Sequence, residues 1–299
     1  MLQSVICTNG CETGESETGG DTMSGSFIAE RFRRVVTLHV VKNLLPYADG
    51  QVPQILGIHG ASGSGKTYQC EYMLHELQVQ PFVISGGELE SPDAGAPARL
   101  IRTTYLNASK YVDEHRGRPA AILINDIDTA LGEFGPLVQY TTNRQMVFVE
   151  LMNRTDYPRV VEGKPTRRIP IIFTGNDFTK MYPPLIRLGR MTSFDWKPTA
   201  EETQAIVETL LPMLRPAEVK ELVARFASSQ IALFSQLKAM LFDDQLYAFI
   251  KQEGSGPVIQ QLLSGRDLRP SWSITFKEVI AKAEELARQA KYQNHLEGS

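Results

Sequence analysis

The 299-residue chain is 42% apolar and 22% charged with a net charge of -3, a balance that fits one large or two modest globular domains and excludes a polycationic nucleic-acid binder. No apolar run reaches the length of a membrane span, about 20 residues, and the first 25 residues lack Lys and Arg, which argues against a secretory signal or an ordinary transit peptide. Three cysteines, Cys7, Cys11 and Cys70, make no disulfide framework, so a reducing, cytoplasmic compartment is expected.

Residues 1–25 are rich in Gly, Ser and Thr and carry Glu12, Glu15, Glu17 and Asp21. They hold too few apolar groups to offset ordering entropy and are expected to be disordered. Cys7 and Cys11 lie in this head and read as two unpaired thiols or as a redox-switched pair. A helical period begins at Phe27 with Ile28, Phe32, Val35, Val36, Val40 and Leu44, and Pro46 and Gly50 end it. Strands are expected near Gln54–Ile58, Phe82–Ser85, Ala120–Asn125, Ile169–Thr174 and Thr192–Trp196. Their alternation with helical stretches implies an α/β domain, a mostly parallel sheet covered on both faces, with ligands at the carboxyl ends of the strands. After Lys197-Pro198 the strand signals stop. Helices are expected near Ala200–Leu211, Pro216–Ser228, Ile231–Lys251 and Thr275–Tyr292. The organisation is thus a tail over 1–25, an α/β domain over 26–197 and a smaller all-helical domain over 198–299.

Residues 60–67 read Gly60-Ala61-Ser62-Gly63-Ser64-Gly65-Lys66-Thr67, behind the apolar run Ile55-Leu56-Gly57-Ile58. This is the phosphate-binding pattern G-x-x-x-x-G-K-[ST] in its strand–loop–helix context. Inward backbone N–H groups and a helix N-terminus form an anion site sized for nucleotide phosphates. Lys66 supplies a point charge for the β- and γ-phosphates, and Thr67 a hydroxyl for Mg²⁺. Gly63 and Gly65 stand where a Cβ would block backbone approach.

The run Ala121-Ile122-Leu123-Ile124-Asn125-Asp126-Ile127-Asp128 is an apolar strand ending in acids. A carboxylate here, beside the loop, can hold the Mg²⁺–water shell or orient the attacking water. Two registers are open. Asp126 is the metal-side acid, or Asn125 takes the metal side and Asp126 activates water. Asp128 is expected to be structural or interfacial. A second polar strand end, Thr174-Gly175-Asn176-Asp177, offers the Asn176 amide as donor and acceptor to both γ-phosphate and lytic water. Arg187 and Arg190 are three residues apart, one face of a helical turn, and could stabilise phosphoryl charge on a neighbouring subunit.

With these blocks the sequence resembles the AAA+ ATPases and, within them, the Rubisco activases of plants and cyanobacteria. The resemblance rests on Gly57–Gly60 ahead of the loop, Gly87–Gly95, Ala98–Arg102, Asn125-Asp126 with Asp128, Gln139–Thr141, Leu151–Asn153, Thr174–Phe178 and Pro184–Met191. It runs from about residue 27 to 292. It implies a P-loop AAA+ parallel-sheet domain followed by a helical lid. It further implies a homo-oligomeric ring, usually hexameric, that hydrolyses ATP with Mg²⁺ and frees the large subunit of Rubisco from tight-binding sugar phosphates. By this resemblance Glu88, Leu89, Glu90 and Ser91 lie on a pore loop, and Phe134 to Tyr140 form a second pore element. Arg187 and Arg190 reach the next subunit's γ-phosphate, Asn176 is the sensor, and Lys238 is the lid's nucleotide contact. The Gly/Pro-punctuated stretch 86–97 is expected to be mobile.

Departures are visible. Thr129-Ala130-Leu131-Gly132-Glu133-Phe134 replaces the family's usual Ala-Gly-Ala-Gly-Arg, Leu188 replaces an Asp, and Met240 replaces one of two lid arginines whose other place Lys238 takes. A lysine cannot fork onto phosphate as arginine does. These departures and the unusual head lean toward a bacterial member, with a chloroplast stroma as the other setting. Rival expectations are a different protein client, a nucleic-acid client, which the acidic balance disfavours, and a non-catalytic scaffold held together by nucleotide.

Overall fold

The computed structural model describes residues 27–91, 93–115, 117–131, 141–266 and 273–296. The expected disordered tail with Cys7 and Cys11, and the second pore element from Phe134 to Tyr140, lie outside the described residues.

The α/β part runs α1 (Glu30–Leu44), β1 (Ile55–His59), α2 (Lys66–Glu76), β2 (Gln80–Ser85), α3 (Ala96–Glu114), β3 (Ala120–Asn125), α4 (Ile127–Leu131) and α5 (Thr141–Asp156). A small antiparallel hairpin follows, β4 (Val160–Val161) and β5 (Lys164–Pro165), then β6 (Ile171–Gly175), α6 (Pro183–Ile186) and β7 (Met191–Asp195). The five-stranded sheet has the order β2-β3-β6-β1-β7 and every pairing in it is parallel. The central strands are buried along their length because helices cover both faces. Alternate residues feed opposite layers. Ile122 and Ile124 join Ile171 and Phe173 under α3 and α5. Ala121 and Leu123 join Leu56 and Ile58 under α1 and α2.

Polar side chains peg α1 to the sheet. His39 is buried and donates its Nε2–H to the Ile171 carbonyl at 3.1 Å. Burial pushes its pKa down to about 3. Arg168, also buried, donates Nε–H to Asn43 Oδ1 at 2.9 Å and an Nη2–H to the Val52 carbonyl at 2.6 Å.

The chain after β7 is helical: α7 (Ala200–Leu210), α8 (Pro216–Arg225), α9 (Ile231–Met240), α10 (Asp243–Glu253), α11 (Ser255–Leu263) and α12 (Phe276–Leu296). Val207, Leu222, Phe234, Leu237, Val279 and Ala283 form its apolar centre. A capping box, Thr199 with Glu202, starts α7.

Two expectations need correction. The single helix expected over Ile231–Lys251 is two helices. Leu241 turns inward and is buried, Phe242 leaves the helical region (φ -109°, ψ 8°), and Asp243 and Asp244 favour a fresh N-terminus. Strand β3 has the expected bounds, but β1, β2, β6 and β7 differ by one or two residues at their ends, so His59 and Gly175 belong to β1 and β6. Helix α11, entered through Gly254 at φ 85°, was not expected from the pattern.

Candidate nucleotide site

The strand ends place the chemistry. Parallel pairing sets His59 beside Gly175 and Asp195. The phosphate loop, the acidic turn after β3 and the Asn176 turn after β6 therefore leave the sheet at one edge.

The loop is held from below by an indole. Trp196 is fully buried, and its Nε1–H donates to the Ser64 carbonyl at 2.9 Å. A Cβ on Gly60 would collide with the Trp196 carbonyl. Gly63 has φ 68°, a conformation open to glycine, and a Cβ there would lie 2.7 Å from Gln230 Oε1 and 2.8 Å from Ala232 Cβ. Trp196 and the two lid residues had no motif to announce them. They reach the loop only through the tertiary fold.

Lys66 begins α2 and is 6% exposed. Its ammonium donates to the Gly60 carbonyl (2.8 Å), the Ala61 carbonyl (3.0 Å) and Asn176 Oδ1 (3.1 Å). Burial lowers its pKa, and the charges of Asp126 and Asp128 oppose that shift. Thr67 lies 3.4 Å from the Thr174 hydroxyl, which donates to Asn125 Oδ1 at 3.1 Å and accepts the Asp126 N–H at 3.2 Å. Thr67, Thr174, Asn125 and the Asp126 backbone thus form one connected group. Asp126 has φ 50°, a left-handed conformation uncommon outside glycine, and its carboxylate is exposed. Thr129 fixes that turn by donating N–H (3.1 Å) and Oγ1–H (2.7 Å) to the Asp126 carbonyl. Asp128 Oδ2 accepts the N–H groups of Asn176 (2.8 Å) and Asp177 (2.9 Å).

The arginine pair is not on one helical face. Helix α6 stops at Ile186, and Arg187 is already extended (φ -65°, ψ 154°). Gly189, at φ 93°, turns the chain into β7. Arg187 is exposed, whereas Arg190 forms a two-pronged pair with Asp156 (3.1 and 2.7 Å) and donates to the Pro184 carbonyl at 2.8 Å. Leu188, between them, is 94% exposed.

Much of the described part of the stretch 86–97 takes regular structure. Residues Gly86–Glu90 form a 3₁₀ turn capped by the Ser85–Glu88 box, so the Glu88 carboxylate accepts from Ser85 N (2.7 Å) and Oγ (2.9 Å). Leu89 is 4% exposed and packs in the core, which removes it from any gripping surface. Asn143 on α5 ties the next residues down: its Nδ2 donates to the Ser91 and Asp93 carbonyls, and its Oδ1 accepts the Gly95 N–H. Glu88 and Glu90 are both exposed, Glu88 engaged by Ser85.

The structure does not bring Lys238 to the loop. The lid contacts the loop through Gln230 and through the Ala232 N–H, which donates to the Gly63 carbonyl at 2.9 Å. Lys238 is exposed in the last turn of α9, about 9 Å further along the helix axis.

The residues present fit a nucleotide with a magnesium ion. The loop holds an orphaned buried hydroxyl, Ser64 Oγ. Thr67, Asn125 and Asp126 supply hard oxygen donors. Such oxygen donors suit Mg²⁺, which keeps water and uses substrate phosphates as ligands.

A parallel sheet of this order, a phosphate loop after its β1 and a helical domain folded against that loop define a P-loop nucleotide-binding protein of the AAA type. A family model described as "ATPase family associated with various cellular activities (AAA)" matches residues 56–199. A second, "Ribulose bisphosphate carboxylase/oxygenase activase, AAA, helical", matches residues 202–291. The chain belongs to the AAA family of ATPases and groups there with the Rubisco activases. It is 40% identical over 276 residues to the ribulose bisphosphate carboxylase/oxygenase activase of Anabaena sp., covering 89% of this chain and 66% of that protein. The chloroplastic activase of Chlamydomonas reinhardtii is 39% identical over 250 residues, covering 81% of this chain and 61% of that protein. The chain spans about two thirds of the length of these curated relatives, or less. The AAA domain of FIGL-1, solved in complex with ADP, shares the fold with a TM-score of 0.58 at 17% identity, over 91% of this chain and 89% of that one. No helix among the described residues is long and apolar enough to cross a membrane.

Proposed function

We propose that the protein is a ring-forming remodelling ATPase of the Rubisco activase type: it hydrolyses ATP and uses the cycle to release inhibitory sugar phosphates from Rubisco. The observation that supports the ATPase step is the contact of Lys66 with Asn176, which joins the phosphate loop to the end of β6. The match of residues 202–291 to the activase helical domain supports the client. The loop from Gly60 to Thr67 holds the phosphates through its N–H groups, and Lys66 places a charge on them. Thr67, with Asn125 and Asp126, would hold Mg²⁺, which would supply positive charge to the phosphate oxygens. The link from Thr67 through Thr174 to Asn125 favours the register in which Asn125 stands on the metal side and the exposed Asp126 orients water. Asn176 aligns that water with the phosphate. Arg187, exposed, is the guanidinium offered to the next subunit, and Arg190 braces the turn that carries it. In this reading the nucleotide domain ends near residue 197, the lid follows, the assembly is a hexamer, and Glu90 and Ser91 stay on the client-facing side. Its cyanobacterial relatives favour a bacterial cytoplasm.

The test is carboxylase activity of sugar-phosphate-inhibited Rubisco, with and without ATP, in the presence of this protein. ATP-dependent recovery that Lys66→Ala cannot produce is expected. Brisk ATP turnover without recovery would refute the client, and no turnover at all would refute the engine.

A further inference from the structure

Asp128 has no part in the chemistry described so far, yet the rim is shaped around it. It is 3% exposed. The left-handed turn at Asp126 ends β3 and starts α4, and that turn swings Asp128 back toward the end of β6. There the sheet ladder stops supplying acceptors. One oxygen, Oδ2, takes the place of a strand by accepting both the Asn176 N–H (2.8 Å) and the Asp177 N–H (2.9 Å). The other, Oδ1, has no hydrogen-bond partner and abuts Gly175, where a Cβ would lie 2.6 Å from it. Bonds from N–H to a carboxylate are short and strong, and moving the buried acceptor would release both backbone donors from the position it fixes. Asn176 in turn meets Lys66 through its Oδ1 at 3.1 Å. Asp126 stands two residues before Asp128 on the same turn. A displacement of α4 would therefore move the water-side acid and the Asn176 amide together.

We propose that Asp128 is a positioning residue for ATP turnover. Its carboxylate touches no nucleotide. It holds the backbone of Asn176 and Asp177 so that the Asn176 amide faces Lys66 and the phosphate chain. Nucleotide binding, carried by the loop N–H groups and Lys66, stays independent of it. The proposal rests on the reading of Asn176 given above.

The test compares Asp128→Asn, Asn176→Ala and the double variant of the full chain. Three quantities are measured: steady-state ATP turnover, equilibrium binding of a fluorescent ATP analogue, and the melting temperature. Asp128→Asn should lower kcat about tenfold or more and leave the Kd within about threefold. The double variant should be no slower than Asn176→Ala alone, because the two act as one unit. Asp128→Glu keeps the charge and misplaces it by one methylene. It should show the same split and decides the matter if Asp128→Asn does not fold. Wild-type kcat in both Asp128 variants, beside a slow Asn176→Ala, would overturn the proposal alone. So would additive losses in the double variant. A parallel fall of kcat, affinity and melting temperature would make Asp128 a structural residue only. Wild-type turnover in Asn176→Ala would overturn the reading of Asn176, and the proposal with it.

Discussion

The sheet rim and the helical domain both border the phosphate loop, but they grip it differently. The rim reaches it through a network of side chains: Lys66 to Asn176, Thr67 to Thr174 and Asn125, with Trp196 beneath. Among the described residues the helical domain reaches it through a backbone bond, Ala232 to Gly63, and the packing of Gln230 and Ala232. At the hinge one side chain bridges the halves. Arg31 on α1 forms a two-pronged pair with Glu202 on α7 (2.8 and 2.9 Å), donates to the Lys197 carbonyl and stacks over Trp196 at 4.6 Å. A dense network fixes atoms to the tolerance that phosphoryl transfer needs. A hinge with few links can change its angle at little cost. The difference assigns chemistry to the rim and motion to the lid.

The sharpest way to break this division is Lys66→Ala. It removes the cation and three hydrogen bonds at the loop at once. ATP affinity should fall by about a hundredfold or more, read by calorimetry with ATP and Mg²⁺. Retained affinity would mean that the lid, not the rim, carries binding. The arginines come next. Arg187→Ala should leave affinity and melting temperature unchanged and lower turnover by about a hundredfold. Arg190→Ala should lower the melting temperature first, because it strips Asp156 and the Pro184 carbonyl of their partner. If Arg190→Ala abolishes turnover in a fully stable protein, the assignment of roles is reversed.

A pH profile separates the halves by stability. His39 has a native pKa of about 3 against an ordinary value of 6.5. The unfolded chain therefore binds the extra proton between these values, and stability rises with pH across that window. The contribution is complete above pH 6.5 and is lost as the pH falls toward 3. At pH 5 the loss is about 2 kcal/mol. It falls on the α/β half, where His39 pegs α1 to the sheet. Melting at pH 7 and pH 5, followed by hydrogen exchange on α1 and β6, checks this. Equal stability at the two values would mean that His39 is not held neutral.

Much of the rim could be read before any fold was known, because its residues carry local signatures. The loop, the polar ends of β3 and β6, and the apolar strands behind them follow from spacing and periodicity alone. What escaped reading is tertiary. Trp196 looks like an ordinary aromatic at a strand end until it meets the Ser64 carbonyl. Leu89 looks like part of an exposed loop until the 3₁₀ turn carries it into the core. Arg187 and Arg190 share a helical spacing, but Gly189 ends the helical logic between them. The lid is harder still. A run of apolar residues hid the break at Leu241-Phe242, and the lid residue at the loop is set by where α9 begins rather than by its charges.

That last point gives the smallest and most discriminating prediction. Resemblance assigned Lys238 to the nucleotide, whereas the fold sets it at the far end of α9 from the loop. A lysine side chain is long but exposed here, with its ammonium free to be solvated, and an exposed charge contributes little at such range. Lys238→Ala should change ATP affinity and turnover by about twofold or less. Gln230→Ala, which removes the side chain packed on Gly63, should perturb affinity more than Lys238→Ala does. A strong loss from Lys238→Ala in isolated subunits would place its ammonium on the nucleotide after all and require the lid to close by a large rotation. The same loss seen only in assembled rings would place it at a neighbour's site. The lid would then do chemistry as well as move, and the division between rim and lever would no longer hold.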